Sequence, residues 1–281
     1  MGRAALTAPA LLIIGAASLD VLHLSNGLTA EAPGGAGLYT ALAAQASGAE
    51  ATLLAPRPQL LPQILQSAAQ AIQWIGPTVD PAQTPRLEIA HFGNGRAQLL
   101  NAAWGAELTV ADLPADLSGF AWIHIAALRS AQRQLDFARA CRQHGAARLS
   151  VGTYAHVARS ETETVRQLIT ETDAFFMNEN EAGILFGSVD EARPRLGGLL
   201  FVTRGAQGAV VWEGPTATAL PAPVVEELDP TGAGDTFCGA TLAHLALGRA
   251  PAEAAQRGIA LASRQITAIG PSALINPSAC P

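Results

Sequence analysis

The chain has 281 residues, 49% of them hydrophobic and 14% charged, and a formal net charge of −6. That composition suits a globular domain with a sizeable core, and it excludes a disordered chain and a nucleic-acid partner. The apolar run Ala10 to Ala17 is too short to span a bilayer, and Met1–Pro9 does not read as a signal peptide, so a cytoplasmic protein without a membrane partner is expected.

Leu11–Gly15 is a buried-strand run, followed by a strand at Val21–Leu24 and a glycine-rich turn at Gly34–Gly37. An alanine-rich helix is expected over Leu38–Ala46, then strand Ala51–Ala55, helix Gln59–Gln70 and strand Ile72–Ile75. Residues 84–102 break the rhythm. Arg86–Phe92 alternates, Gly93-Asn94-Gly95 turns, and Arg96–Asn101 alternates back, which is the pattern of a β-hairpin. Strand Trp122–Ala126, helix Ala131–His144 and strand Arg148–Val151 resume the alternation. Ser160-Glu161-Thr162-Glu163 has the spacing of a capping box and is expected to open a helix running to about Thr170. Strand Ala174–Met177, a short helix and strand Leu199–Thr203 follow. A hairpin at Ala209–Leu220 and two helices, Gly232–Leu247 and Pro251–Ala268, complete the chain. Strands separated by helices predict one α/β domain over residues 1–281, with a mostly parallel sheet covered on both faces. Cys141, Cys238 and Cys280 have no paired spacing and read as reduced thiols, and the histidines are equally dispersed.

The chemistry concentrates at Asp229-Pro230-Thr231-Gly232-Ala233-Gly234-Asp235. Small residues at 232–234 leave backbone N–H groups bare where a helix begins, which makes an anion site. Asp235 adds negative charge beside that anion, which makes sense for a carboxylate that takes a proton. Three shorter signals accompany it: Gly34-Gly35-Ala36-Gly37, Asn178-Glu179-Asn180-Glu181 and Thr203-Arg204-Gly205-Ala206-Gln207-Gly208. Each alone also reads as a helix start, a cap or a hairpin turn.

Together, and in this order, these segments resemble the motifs of the ribokinase-like (PfkB) carbohydrate kinase family along nearly the whole chain. The resemblance implies a three-layer α/β/α fold with a small β lid, here at about 20–33 and 84–102. It implies ATP-dependent phosphorylation of a hydroxyl on a small sugar, cyclic polyol or nucleoside. Asp235 is then the catalytic base, with the Gly232, Ala233 and Gly234 amides as the anion hole. Asp20, Gly34, Gly35 and Tyr39 fall on the substrate side, and Thr203, Gly205, Gly208 and Asn178 on the nucleotide side. Glu181 would hold Mg2+ through water. Asp229, with the backbone near Ala268 and Gly270, stands where many members bind K+. Lids of this family often pair between subunits, which implies a homodimer.

The departures touch the substrate side. Tyr39 stands where many members have asparagine, Ala36 where ribokinases often have lysine, and Ser150–Tyr154 where many have Asp-x-Asn-x-Arg. Tyr39 is expected to narrow the acceptor pocket and present its ring to a cyclic substrate. Two rivals differ in class. A dinucleotide-binding unit starting at Ile14-Gly15-Ala16-Ala17-Ser18 lacks Gly-x-Gly-x-x-Gly, whereas a catalytically silent sugar-binding relative would share the fold. All seventeen basic residues are arginine, so the chain has no lysine for a P-loop.

Overall fold

The computed structural model describes residues 8–93 and 96–276. Asn94 and Gly95 of the expected hairpin turn, and Cys280, lie outside them. In chain order the first elements are β1 (Ala10–Ile14), β2 (Ser18–His23), β3 (Thr29–Gly34), α1 (Ala36–Ala46), β4 (Glu50–Leu54) and β5 (Arg57–Pro58). Next come α2 (Gln63–Ala71), β6 (Gln73–Ile75), β7 (Thr78–Val79), β8 (Arg86–His91), β9 (Ala97–Ala103) and β10 (Trp122–Ile125). Then follow α3 (Ala131–Gln143), β11 (Leu149–Gly152), α4 (Ala155–Ser160), α5 (Thr162–Glu171), β12 (Ala174–Asn178) and α6 (Glu179–Phe186). The last are β13 (Leu199–Thr203), β14 (Ala209–Glu213), β15 (Thr216–Leu220), α7 (Ala233–Ala246), α8 (Pro251–Gln265) and α9 (Ser272–Ile275).

The central sheet runs β15-β14-β13-β12-β11-β10-β1-β4-β6. Every pairing from β6 to β13 is parallel, and β14 and β15 add an antiparallel edge. Alternate residues of β1 enter different cores. Leu11 and Ile13 pack with α1, α2, α7, α8 and α9, while Leu12 and Ile14 pack with α3, α4, α5 and α6. That two-sided burial is why β1 reads as an unbroken apolar run. Helices α1, α7 and α8 approach closely through small residues. A Cβ on Gly239 would lie 2.1 Å from the Thr40 carbonyl oxygen, and one on Gly258 would lie 2.4 Å from Thr241 Oγ1. Among the described residues, no helix is long and apolar enough to cross a membrane.

A second sheet runs β3-β2-β8-β9. The expected hairpin, β8 with β9, does not stand alone: β8 pairs in parallel with β2, which pairs with β3. Strand β3 carries Pro33 and small residues and has no strand signature; as an edge strand it tolerates the proline. Helix α2 begins at Gln63 rather than Gln59, because the preceding residues extend into β5 and Pro62 sits just before the first turn.

The expected capping box at Ser160 is overturned. Ser160 is the last residue of α4, and its hydroxyl donates to the His156 carbonyl at 3.0 Å. Glu161 serves a different helix: its Oε2 accepts from Ser130 Oγ and Gln132 N–H at the start of α3, each at 3.0 Å. Helix α5 begins at Thr162 without a side-chain cap.

Candidate active site

Parallel sheets present their functional groups at the carboxyl ends of the strands. Here the ends of β1, β12 and β13 meet the first turns of α1, α6 and α7. Helix α7 starts from Gly232 in the left-handed region, φ 73°. A Cβ there would fall 2.4 Å from the Tyr39 ring, so glycine is required twice over. The N–H groups of Gly234 and Asp235 find no backbone acceptor among the described residues, and they stand at the positive end of a 14-residue helix. Asp235, partly exposed in this first turn, has its carboxyl pushed up to about 7 by burial and by the nearby Glu181 carboxylate.

Asn178 and Glu181 close a reciprocal cap on α6. The Asn178 side chain accepts from Glu181 N–H at 3.0 Å, and Glu181 Oε2 accepts from Asn178 N–H at 2.7 Å. Asn178 Nδ2 also donates to Glu181 Oε1 at 2.7 Å. Burial pushes the Glu181 carboxyl up to about 7, against those bonds. Thr203 lies opposite Asn178 in the sheet register, so the 203–208 loop borders the same end of the sheet. Its two glycines differ. Gly208 is needed because a Cβ would sit 2.0 Å from the Leu220 carbonyl oxygen, while Gly205 faces open space at φ 54°.

On the other flank, Asp20 is buried in β2 and accepts from Ser18 Oγ at 2.6 Å. Gly34 gives it room: a Cβ there would lie 1.9 Å from Asp20 Oδ2. Gly35, φ 98°, faces the Ala16 carbonyl so closely that a Cβ would be 2.5 Å from its oxygen. Burial raises the Asp20 carboxyl to about 6, partly offset by the Ser18 bond.

Tyr39 is 1% exposed, its ring wedged beneath Gly232 rather than facing an open pocket. Its hydroxyl is buried without a hydrogen-bond partner among the described residues. Burial and the surrounding carboxylates Asp229, Asp20 and Asp235 hold that phenol well above its usual range. An unpaired buried hydroxyl costs about 1–3 kcal/mol. Tyr39→Phe is therefore expected to raise the unfolding free energy by roughly 1 kcal/mol in urea titration. The acceptor KM should stay within about twofold; a tenfold rise, about 1.4 kcal/mol, would assign the hydroxyl to the acceptor instead.

Three features escaped the sequence reading. A cleft of about 230 Å³ is lined by Ser18, Gly35, Trp104, Leu108, Arg129 and Tyr154, among others. Arg129 lies over the Trp104 ring, 5.2 Å from its centroid, and pairs with Glu107. Asp20 stands behind this wall through Ser18, and it also borders a second hollow of about 280 Å³ with Glu31, Arg86 and Glu88. His91, at the end of β8, reaches the α7 loop and places Nε2 2.9 Å from Thr231 Oγ1. Gln265, fully buried at the end of α8, joins Thr231 to Gly270. The His91 and Gln265 partners to Thr231 lie 140 and 34 residues away, so no local pattern announces them.

Residues 14–279 match the family described as pfkB family carbohydrate kinase. The cytidine kinase of Thermococcus kodakarensis is 26% identical over 262 residues, which cover 89% of this chain and 93% of that relative. Among solved structures, a probable sugar kinase from Rhizobium etli aligns with a TM-score of 0.80 at 21% identity, covering 97% of this chain and 98% of its own. The adenosine kinase of Sinorhizobium meliloti aligns at 0.77 with 22% identity, covering 96% and 98%. Both likenesses establish the ribokinase-type fold.

Proposed function

The chain belongs to the pfkB family of carbohydrate kinases, and on that premise we propose that it transfers the γ-phosphoryl group of ATP to a hydroxyl of a small ring-bearing acceptor. The observation that carries this reading is the first turn of α7, where the Asp235 carboxyl stands beside the Gly234 and Asp235 N–H groups, which find no backbone acceptor among the described residues. A base whose pKa lies near the working pH is matched to taking a proton from an alcohol.

In the proposed step the acceptor oxygen bonds to the γ-phosphorus as the bond from that phosphorus to the bridging oxygen breaks. ADP leaves with the bridging oxygen, and the hydroxyl proton passes to Asp235. The Gly234 and Asp235 amides would meet the charge on the transferring group as an oxyanion hole does, whereas the Ala233 N–H, expected to share that role, is taken by the Pro230 carbonyl at 3.2 Å. Mg2+, bound to the triphosphate, would lower its charge, and Glu181 with Asn178 suits a water-mediated hold because Mg2+ keeps several of its own waters. Thr203, Gly205 and Gly208 would border the nucleotide, with Gly205 leaving the backbone uncovered.

For the acceptor, Asp20 would take hydroxyl hydrogen bonds while the Trp104, Arg129 and Tyr154 side of the cleft faces the rest of the molecule. An aromatic wall crossed by a guanidinium suits a flat ring, which favours a nucleoside over a simple polyol or sugar. Initial rates of ADP release with pentoses, hexoses, cyclic polyols and nucleosides test this. Highest kcat/KM on a nucleoside is expected; equal use of acyclic polyols would count against the ring wall.

The second sheet would act as the lid, tied to the α7 loop by His91. Its edge strand β9 is exposed along most of its length, with Leu99 and Leu100 about half-exposed. Such an edge invites pairing with another chain, and a homodimer is expected. Light scattering should give about twice the 28.9 kDa chain mass; a monomer at micromolar concentration would remove the dimer.

A further inference from the structure

The loop before α7 and the loop after α8 are fastened by two side chains acting on the same two residues. Asp229, with no exposed surface, accepts Thr231 N–H on Oδ1 at 2.9 Å and Gly270 N–H on Oδ2 at 2.7 Å. Gln265, equally buried, donates from Nε2 to the Thr231 carbonyl at 3.0 Å and to the Gly270 carbonyl at 3.4 Å. Thr231 and Gly270 therefore each give an N–H to the carboxylate and a carbonyl to the amide. The Gln265 orientation follows from this network. With oxygen and nitrogen exchanged, an acceptor would face two carbonyl oxygens, and both bonds would be lost.

This is the place to which the resemblance assigns K+. A monovalent cation there requires backbone carbonyl oxygens free to converge on it beside a carboxylate. The Asp229 carboxylate is present, but two of the carbonyls that could supply such a site already converge on a fixed –NH2. An amide donor carries partial positive charge and makes directed bonds, so it answers the same electrostatic demand without an ion. The residues present do not fit K+ beside an intact Gln265 side chain.

We propose that the Gln265 carboxamide takes the place of a monovalent cation, so that the 229–232 loop and the anion site of α7 are set without K+. Gln265 acts here as a positioning residue. It holds the Thr231 carbonyl immediately before Gly232, the residue whose left-handed turn aims the first N–H groups of α7. The consequence for turnover rests on the kinase reading above; the consequence for cation binding does not.

Two measurements test it, both against tetramethylammonium at equal ionic strength. The first is the melting temperature without nucleotide. K+ should leave the wild type unchanged and raise Gln265→Ala by about 3 °C once the ion is well above its Kd, because the shorter side chain vacates a space lined by carbonyls. The second is the rate with ATP and acceptor. The wild type should run equally in either cation, and Gln265→Ala should lose at least about tenfold in tetramethylammonium and recover part of it in K+, a difference of about 1.4 kcal/mol in the barrier. A wild type stabilised by K+, or slowed several-fold by its removal, would overturn the proposal, and that comparison needs no variant to fold. A Gln265→Ala protein indifferent to K+ in both readouts would overturn it as well. Should no acceptor be turned over, the melting comparison still decides the cation question while the kinase reading fails separately.

Discussion

Asp235→Asn should lower kcat by roughly 10²–10⁴ while leaving the ATP affinity nearly unchanged. The substitution keeps the shape of the side chain and removes only its capacity to accept the proton. The backbone N–H groups of α7, which would hold the anion, are untouched. The pH dependence follows from the same carboxyl. Asp235 is pushed up to about 7, so the base form accumulates as pH rises, and kcat/KM of the wild type should climb up to about pH 7 and level above it. The stability consequence has the opposite sense. The folded state holds this proton more tightly than the unfolded chain does, so the contribution is complete below the ordinary carboxylate range and is lost as pH rises through about 7. Asp235→Asn should therefore be more stable than the wild type at pH 8, with the difference vanishing near pH 4. Thermal melts across that range check the sign. A variant that keeps more than about a tenth of wild-type kcat takes the base role away from Asp235.

Asp20→Ala should raise the acceptor KM at least tenfold, with the ATP KM unchanged. A carboxylate can receive two hydroxyl hydrogen bonds, and charge-assisted bonds contribute about 1.5–3 kcal/mol each, so tenfold is the low end. Because burial lifts Asp20 to about 6, acid should act on the wild type in the same direction. Its acceptor KM should rise as pH falls below about 6, where the carboxylate takes a proton. Asp20→Asn should show an acceptor KM that no longer responds to pH there. Equal KM values for wild type and Asp20→Ala would take the acceptor away from Asp20, and so from the second hollow that Asp20 borders as well.

What the sequence made legible was what depends on near neighbours. The Leu11–Ile14 run reads as a doubly covered strand because each residue meets a core on its own face. The 229–235 segment reads as a helix start with bare amides because small residues and the cap are local to it. Strand β3 was illegible for a physical reason: Thr-Ala-Glu-Ala-Pro-Gly is held in the sheet by β2 on one side, not by its own propensity. Ser160 misled because a capping pattern names a possible bond and not the partner: its hydroxyl donates back to the His156 carbonyl, and Glu163 pairs with Arg166. The motif spacing points Tyr39 at the acceptor, and only tertiary packing places its ring under Gly232. Gln265 and His91 draw their meaning from Thr231, which only the fold brings to them.

The expectations above for kcat and KM depend on the proposed transfer of a phosphoryl group from ATP to an alcohol oxygen. Phosphorus NMR of the protein with Mg2+, ATP and the nucleoside, sugar and polyol panel tests it directly. A phosphate monoester signal should grow in step with ADP for at least one acceptor and be suppressed by roughly 10²–10⁴ in Asp235→Asn. Acceptor and ATP both bound, with no monoester formed beyond the Asp235→Asn background, would contradict it and leave a sugar- or nucleoside-binding protein on a kinase fold.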